Sequence, residues 1–189
     1  MTRPTPIDKA IPLDKFKYIM SRTDTKGTIQ YGNDYFFEIS GYREEELLGQ
    51  PHNIIRHPDM PKIIFQLMWD RLKEGKMIYA VVKNMAKDGR YYWVTTKFEI
   101  QRNPSTKEIT GYLAYRQAAK PKTVEAINVL YHKLLQEEKR GGMAASKQYL
   151  LDFLDRRNQT YDEYINETIE NNTAFRLFFT AMKKMFGAA

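Results

Sequence analysis

The sequence predicts an α+β domain: a five-stranded antiparallel sheet with helices on one face, followed by a C-terminal helical extension. Three observations carry that prediction. Two short strand-compatible runs joined by a glycine turn stand near the start, and three longer ones joined by polar turns close the first 120 residues. The stretch between these groups holds only short helical patterns. After Pro121 the apolar residues recur at helical spacing.

Each element has a local reason. Residues 1–17 read as an irregular lead-in. Tyr18 to Thr23 suits a strand, Asp24 to Gly27 is turn chemistry, and Thr28 to Tyr31 returns as the second strand of a hairpin. Asn33 is a good N-cap for a helix carrying Tyr35, Phe36 and Ile39, which Gly41 ends. Glu44 to Leu48 makes another turn of helix, closed by Gly49. From Pro61 to Lys73, the residues Ile64, Leu67, Met68 and Leu72 fall on one helical face, with Gly75 as the stop. Met77 to Asn84, Tyr91 to Gln101 and Ile109 to Gln117 form a meander, leaving a pocket between the concave sheet and the helices.

Beyond residue 120 the stripe Val124, Ile127, Leu130, Leu134 is interrupted at Gly141-Gly142. A second stripe runs from Leu150 to Phe186, with a break expected near Asn171-Asn172. The division is therefore 1–17 lead-in, 18–120 sheet-and-helix domain, and 121–189 helical extension.

Composition narrows the function. Hydrophobic residues make up 42% and charged residues 28%, a globular balance. There is no cysteine, which excludes disulfides, thiolate metal sites and any cysteine nucleophile or adduct. The first ten residues are polar with two prolines, unlike a signal peptide, and no run approaches the roughly 20 apolar residues that span a bilayer. A cytoplasmic location is expected. Net charge is +7, of which +6 falls on residues 1–120, favouring an anionic ligand, an acidic partner or a membrane surface if the charge is more than solubilising. No basic tract or nucleic-acid motif is present. Nor is there a Gly-rich phosphate loop or a His-x-x-x-His pair, so the reading is not that of an enzyme.

The densest information lies in Gly49-Gln-Pro-His-Asn-Ile-Ile-Arg-His-Pro-Asp-Met-Pro61. It crowds Arg56, His52, His57, Asn53 and Asp59 into a loop stiffened by prolines, directly before the long helix. Taken alone, the loop admits two readings. Arg56 and Asp59 pair to tie it down with the histidines solvated, or they present a ligand site.

Gly41-Tyr42, Glu-Leu-Leu-Gly-Gln-Pro-His-Asn53 and Arg56-His-Pro-Asp-Met-Pro61 resemble the PAS domains of bacterial aerotaxis receptors. The likeness continues through Trp69, Val82-Lys-Asn84, Lys87-Asp-Gly89, Tyr92-Trp-Val94 and Gly111-Tyr112, spanning about residues 18–117. The resemblance implies a PAS fold, non-covalent FAD, and a report of redox or energy state to chemotaxis signalling. It also implies cofactor-holding roles for Asn33, Arg56, His57, Asp59, Trp69 and Asn84. Arg56 and His57 suit a diphosphate, Asp59 a ribose hydroxyl or Arg56 itself, and Asn84 can donate or accept at a flavin edge. Trp69 and Trp93 suit either a ring wall or ordinary packing.

Such receptors continue into a membrane anchor, a HAMP segment and a kinase-control domain. This chain instead resembles a stand-alone PAS partner of a bipartite energy-taxis receptor. The expected partners are thus a membrane-bound HAMP-containing chemoreceptor or similar signalling protein, and a second copy in a homodimer. Two alternatives stay open: a cofactor-free PAS dimerisation module, and a haem-binding gas sensor using His52 or His57. Light sensing through a flavin-cysteine adduct is excluded by the absent cysteine. His57-Pro-Asp59 also matches the tripeptide of J-domain co-chaperones, but in the wrong, strand-rich context.

Overall fold

The computed structural model describes residues 3–169. Among them, β1 (Ile19–Thr23) and β2 (Ile29–Gly32) form the opening hairpin, with Gly27 at φ 87° in its turn. Helices α1 (Asp34–Ser40) and α2 (Glu44–Leu47) and a 3-10 turn (His52–Ile55) lead to α3 (Lys62–Lys73). Strands β3 (Ile78–Met85), β4 (Tyr91–Arg102) and β5 (Ile109–Ala118) complete an antiparallel sheet ordered β2-β1-β5-β4-β3. The chain closes with α4 (Pro121–Asp155) and α5 (Tyr161–Ile169). The expected fold class holds throughout.

Sequence chemistry explains the joints. Asn33 caps α1 by accepting from the Phe36 amide, and Gly41 ends it in the left-handed conformation at φ 70°. Pro61 stands at the N-cap of α3 rather than inside its first turn, and supplies no side-chain cap. A Cβ on Gly111 would lie 2.2 Å from the Thr23 carbonyl oxygen, so β1 and β5 approach this closely only because position 111 has no side chain.

Alternation along the strands builds the inner face. Ile19, Ser21 and Thr23 of β1, Val82 and Asn84 of β3, Tyr92, Val94 and Thr96 of β4, and Tyr112, Ala114 and Arg116 of β5 all turn inward and are buried. Phe36, Ile55, Met60, Ile64, Met68 and Leu72 close over them from the helices and the loop before α3.

One sheet edge, β2, belongs to the opening hairpin; the other, β3, is covered. Along β3 the outward carbonyl of Val81 accepts from the Tyr131 hydroxyl at 2.7 Å, and that of Lys83 from the His57 amide at 3.4 Å. Ile127, Leu130, Tyr131 and Leu134 of α4 and Tyr161, Tyr164 and Ile165 of α5 are buried in the same core as the sheet. The described part of the extension thus packs on its own domain, as an exposed sheet edge requires. Gly141 and Gly142 leave helical geometry and kink α4, at the interruption the sequence shows. The expected stripe beyond Ile169, with the break near Asn171-Asn172, lies outside the described residues.

Candidate functional site

Between the sheet and the helices lies a cavity of about 320 Å3. Its apolar wall is Phe65, Met68, Trp69 and Leu72 from α3, with Val82, Phe98 and Tyr112 from the sheet. Trp69 stands edge-on to Tyr112 with ring centroids 5.6 Å apart. A Cβ on Gly27 would sit 3.0 Å from the Trp69 ring, so the hairpin turn seats this indole. The size and the aromatic lining suit a flat organic ligand.

The polar part of the wall is concentrated. Arg116 is buried and donates to Ser21 Oγ at 2.9 Å and to His52 Nε2 at 2.9 Å. Both partners are neutral, and among the described residues no carboxylate pairs with this guanidinium. Burial lowers its pKa to about 10, still charged at neutral pH. His52 keeps some surface toward the cavity but is otherwise enclosed. Burial, then the adjacent Arg116, push its pKa down to about 3. It is therefore neutral, and because a guanidinium only donates, Nε2 accepts. That engagement takes Nε2 away from axial ligation of a haem iron.

Asn84 is the second polar feature. It is buried on β3 opposite Tyr92, and its Nδ2 has no hydrogen-bond partner. An unpaired buried amide costs about 1–3 kcal/mol, and Asn84 is a residue of the cavity wall. The neighbouring Tyr92 hydroxyl is buried too, with the Asn84 side chain as its polar neighbour. Burial pushes its pKa well up, against the smaller opposing pull of Arg116 and Asn84, and keeps it protonated.

Arg56 guards the mouth. Its guanidinium lies 3.9 Å over the Phe65 ring and donates to the Met60 carbonyl at 3.2 Å. Its backbone bridges to Asn84, so the loop and the cavity wall are joined directly.

Of the six residues the resemblance singled out, Arg56, Trp69 and Asn84 line the cavity together. The other three lie outside its lining. Asn33 is spent on folding: its Oδ1 accepts from the Met20 and Phe36 amides and its Nδ2 donates to the Tyr18 carbonyl. His57 is buried, not solvated, beneath the loop, with Nδ1 accepting from the Asp59 amide at 3.1 Å. Burial, then Lys83, lower its pKa to about 4. Asp59 pairs with Lys83 at 2.9 Å rather than with Arg56. Burial works against its ionisation, but the Lys83 ammonium outweighs that and holds the carboxyl below its ordinary range. The loop is thus tied to β3, and Arg56 is left facing the ligand space.

Sequence reasoning missed Ser21 and Arg116. The available signal was parity: Arg116 shares its face with Tyr112 and Ala114, so a cation falls on the inward side of an otherwise apolar strand.

Residues 29–114 match the family described as the PAS fold. The chain is 42% identical over 125 residues to the aerotaxis receptor of Escherichia coli, covering 65% of this chain and 24% of the receptor. It is 31% identical over 98 residues to the nitrogen fixation regulatory protein of Klebsiella pneumoniae, covering 52% of this chain and 20% of that protein. The chain therefore spans about a quarter or less of these relatives. Among solved structures, the light-state LOV domain of the photoreceptor Aureochrome1 superposes with a TM-score of 0.53 at 17% identity, over 57% of this chain and 86% of that one. A LOV domain studied with a flavin analogue gives 0.51 at 20% identity, over 65% and 86%. At those identities the likeness is one of fold. Sheet order, helical cover, cavity and family match agree, and the segment 29–114 of this chain is a PAS domain.

Proposed function

We propose that this PAS domain senses redox state through non-covalently bound FAD and passes the signal to a chemotaxis receptor or a similar signalling protein. The observation that carries the reading is the cavity wall. Asn84, whose buried amide nitrogen is unpartnered, and Arg116, a buried guanidinium without an acid among the described residues, line a space walled by Trp69, Phe65, Phe98 and Tyr112. Those groups fit an isoalloxazine, which offers carbonyl and ring-nitrogen acceptors on an aromatic plane. The likeness to an aerotaxis receptor supports the same cofactor and the same signalling context.

In this reading Asn84 and Arg116 hold the polar edge of the ring and Trp69 packs against it, while Arg56 meets the phosphates at the mouth. His57 and Asp59 act through Arg56, by holding its loop on β3. Asn33 acts further back, by setting the hairpin against α1. Bound flavin supplies reversible electron uptake; the chain itself carries out no turnover. Output to a membrane-bound HAMP-containing receptor, and homodimerisation, fit the exposed Val129, Met143 and Leu151 on α4. The described residues contain no helix long and apolar enough to cross a membrane.

The test is direct. Purified protein should show flavin absorbance and release FAD, rather than FMN or haem, on denaturation. Asn84→Leu should weaken FAD at least about tenfold while leaving the ligand-free protein as stable or more so, because an orphaned buried donor is removed. A Soret band, or no chromophore even after incubation with FAD, would overturn the reading.

A further inference from the structure

The cavity is adjoined at Arg56 by an outer cleft of about 650 Å3, and the two share Pro51 and Asn53 in their walls. The cleft lies between the loop before α3, the start of α3, and α4. Arg3, Arg56, Lys62 and Lys139 line it, with Glu138 supplying the carboxylate. The Arg3 guanidinium donates to the Arg56 carbonyl, bringing two cations to one lip. Burial, then Arg3, depress the Arg56 pKa, as cations gathered without enough counter-charge require.

Glu138 makes one contact that its own helix does not need. Its Oε1 accepts at 3.0 Å from the Ile63 amide, in the first turn of α3. That turn has no side-chain cap of its own, because Pro61 occupies the N-cap position. A carboxylate from α4 therefore sits where backbone amides and the helix dipole favour an anion. Three residues later α4 breaks at Gly141 and Gly142, with Gly142 at φ 70° and nothing within 4 Å of where a Cβ would stand. The joint beside Glu138 thus has room to bend.

We propose that the outer cleft is a diphosphate subsite continuous with the cavity, and that Glu138 competes with the ligand's diphosphate for it, coupling ligand binding to the position of α4. The proposal rests on the flavin reading for the inner part of the ligand. The independent observation that the inner cavity wants a ligand is the buried Asn84 amide without a partner, next to the mouth that Arg56 forms. A dinucleotide whose ring fills the inner cavity emerges at Arg56 into the cationic cleft. Two anions cannot share the Ile63 amide, so the phosphates and Glu138 exclude one another there. By linkage, whatever pulls α4 away tightens the dinucleotide, and the dinucleotide loosens α4 from α3. Glu138 lies beyond the segment that matches the PAS family, so this device belongs to the helical extension.

FAD and riboflavin separate the two halves of the argument, since they share the ring and only FAD carries the diphosphate. In the full chain, Glu138→Gln removes the competing charge but keeps an acceptor for the Ile63 amide, so the fold is retained; denaturant unfolding checks this. Dissociation constants from flavin fluorescence quenching should show the FAD preference over riboflavin rising about tenfold in this variant and falling in Lys139→Gln. Hydrogen exchange across residues 121–140 should speed up with FAD and not with riboflavin. If both flavins bind but Glu138→Gln leaves their affinity ratio unchanged, the diphosphate subsite is wrong and the flavin reading stands. If the protein binds neither flavin, the flavin reading falls and this inference with it.

Discussion

At the scale of single residues, the cavity concentrates groups whose ionisation opposes folding. His52 is held neutral with a pKa of about 3, against about 6.5 when the chain is unfolded. The unfolded state therefore binds the extra proton between those values, and stability is complete above pH ~6.5 and falls as pH drops toward about 3. His57, at about 4, adds to the same acid-side loss. Denaturant unfolding at pH 7 and pH 5 should show the protein losing roughly 1–2 kcal/mol through His52 alone. His52→Gln, which can still accept from Arg116, should reduce the loss by about that amount, and an unchanged difference would mean that the imidazole is not enclosed in solution. This acid sensitivity is the energetic trace of enclosing a neutral imidazole against the buried Arg116 guanidinium.

At the scale of elements, the motif loop and the extension both satisfy the free edge of β3. The His57 amide, Met60 and the Tyr131 hydroxyl all meet outward backbone groups of Val81 or Lys83. A strand edge closed this way cannot pair with another chain, and the sheet is held in the register that sets Asn84 beneath Arg56. Tyr131→Phe keeps the ring packed near Trp93 and removes the hydroxyl that bonds the Val81 carbonyl and meets Tyr161. It should cost about 1–2 kcal/mol in equilibrium unfolding and speed amide exchange in β3. No change in either would show that water replaces the hydroxyl and that the edge is less enclosed than the contact implies.

At the scale of the molecule, the sheet, its helical cover and the described part of the extension form one core. Ile127, Leu130 and Leu134 are buried with residues of β3 and α3, and Arg71 of α3 pairs with Asp162 of α5. Truncation after Ala118 should therefore do more than remove an output arm. It should expose the β3 edge and the faces of α3 and β3 that α4 covers, lowering the unfolding midpoint and promoting association through the bared edge. Sedimentation and thermal unfolding of the truncated and full-length chains test this. A truncated protein whose association state and midpoint both match those of the full-length chain would make the extension an independent appendage.

The sequence alone determined the elements and the fold class, and it named three residues of the cavity wall. Strand alternation, the caps at Asn33 and Gly41 and the helical stripe of α3 are local properties, readable because propensity and pattern act within a few residues. The resemblance, in the motif loop and its continuation, reached Arg56, Trp69 and Asn84, which do line the cavity. What it could not reach were choices among partners distant in the chain. Asp59 could pair with Arg56 in the same short loop, yet it meets Lys83 because the loop lies along β3. Glu138 reaches Ile63 across 75 residues, and Arg116 reaches Ser21 across 95. Which of several available donors a charged group meets is set by how strands, loop and extension pack together, since only the assembled core removes the water that would otherwise satisfy them all equally.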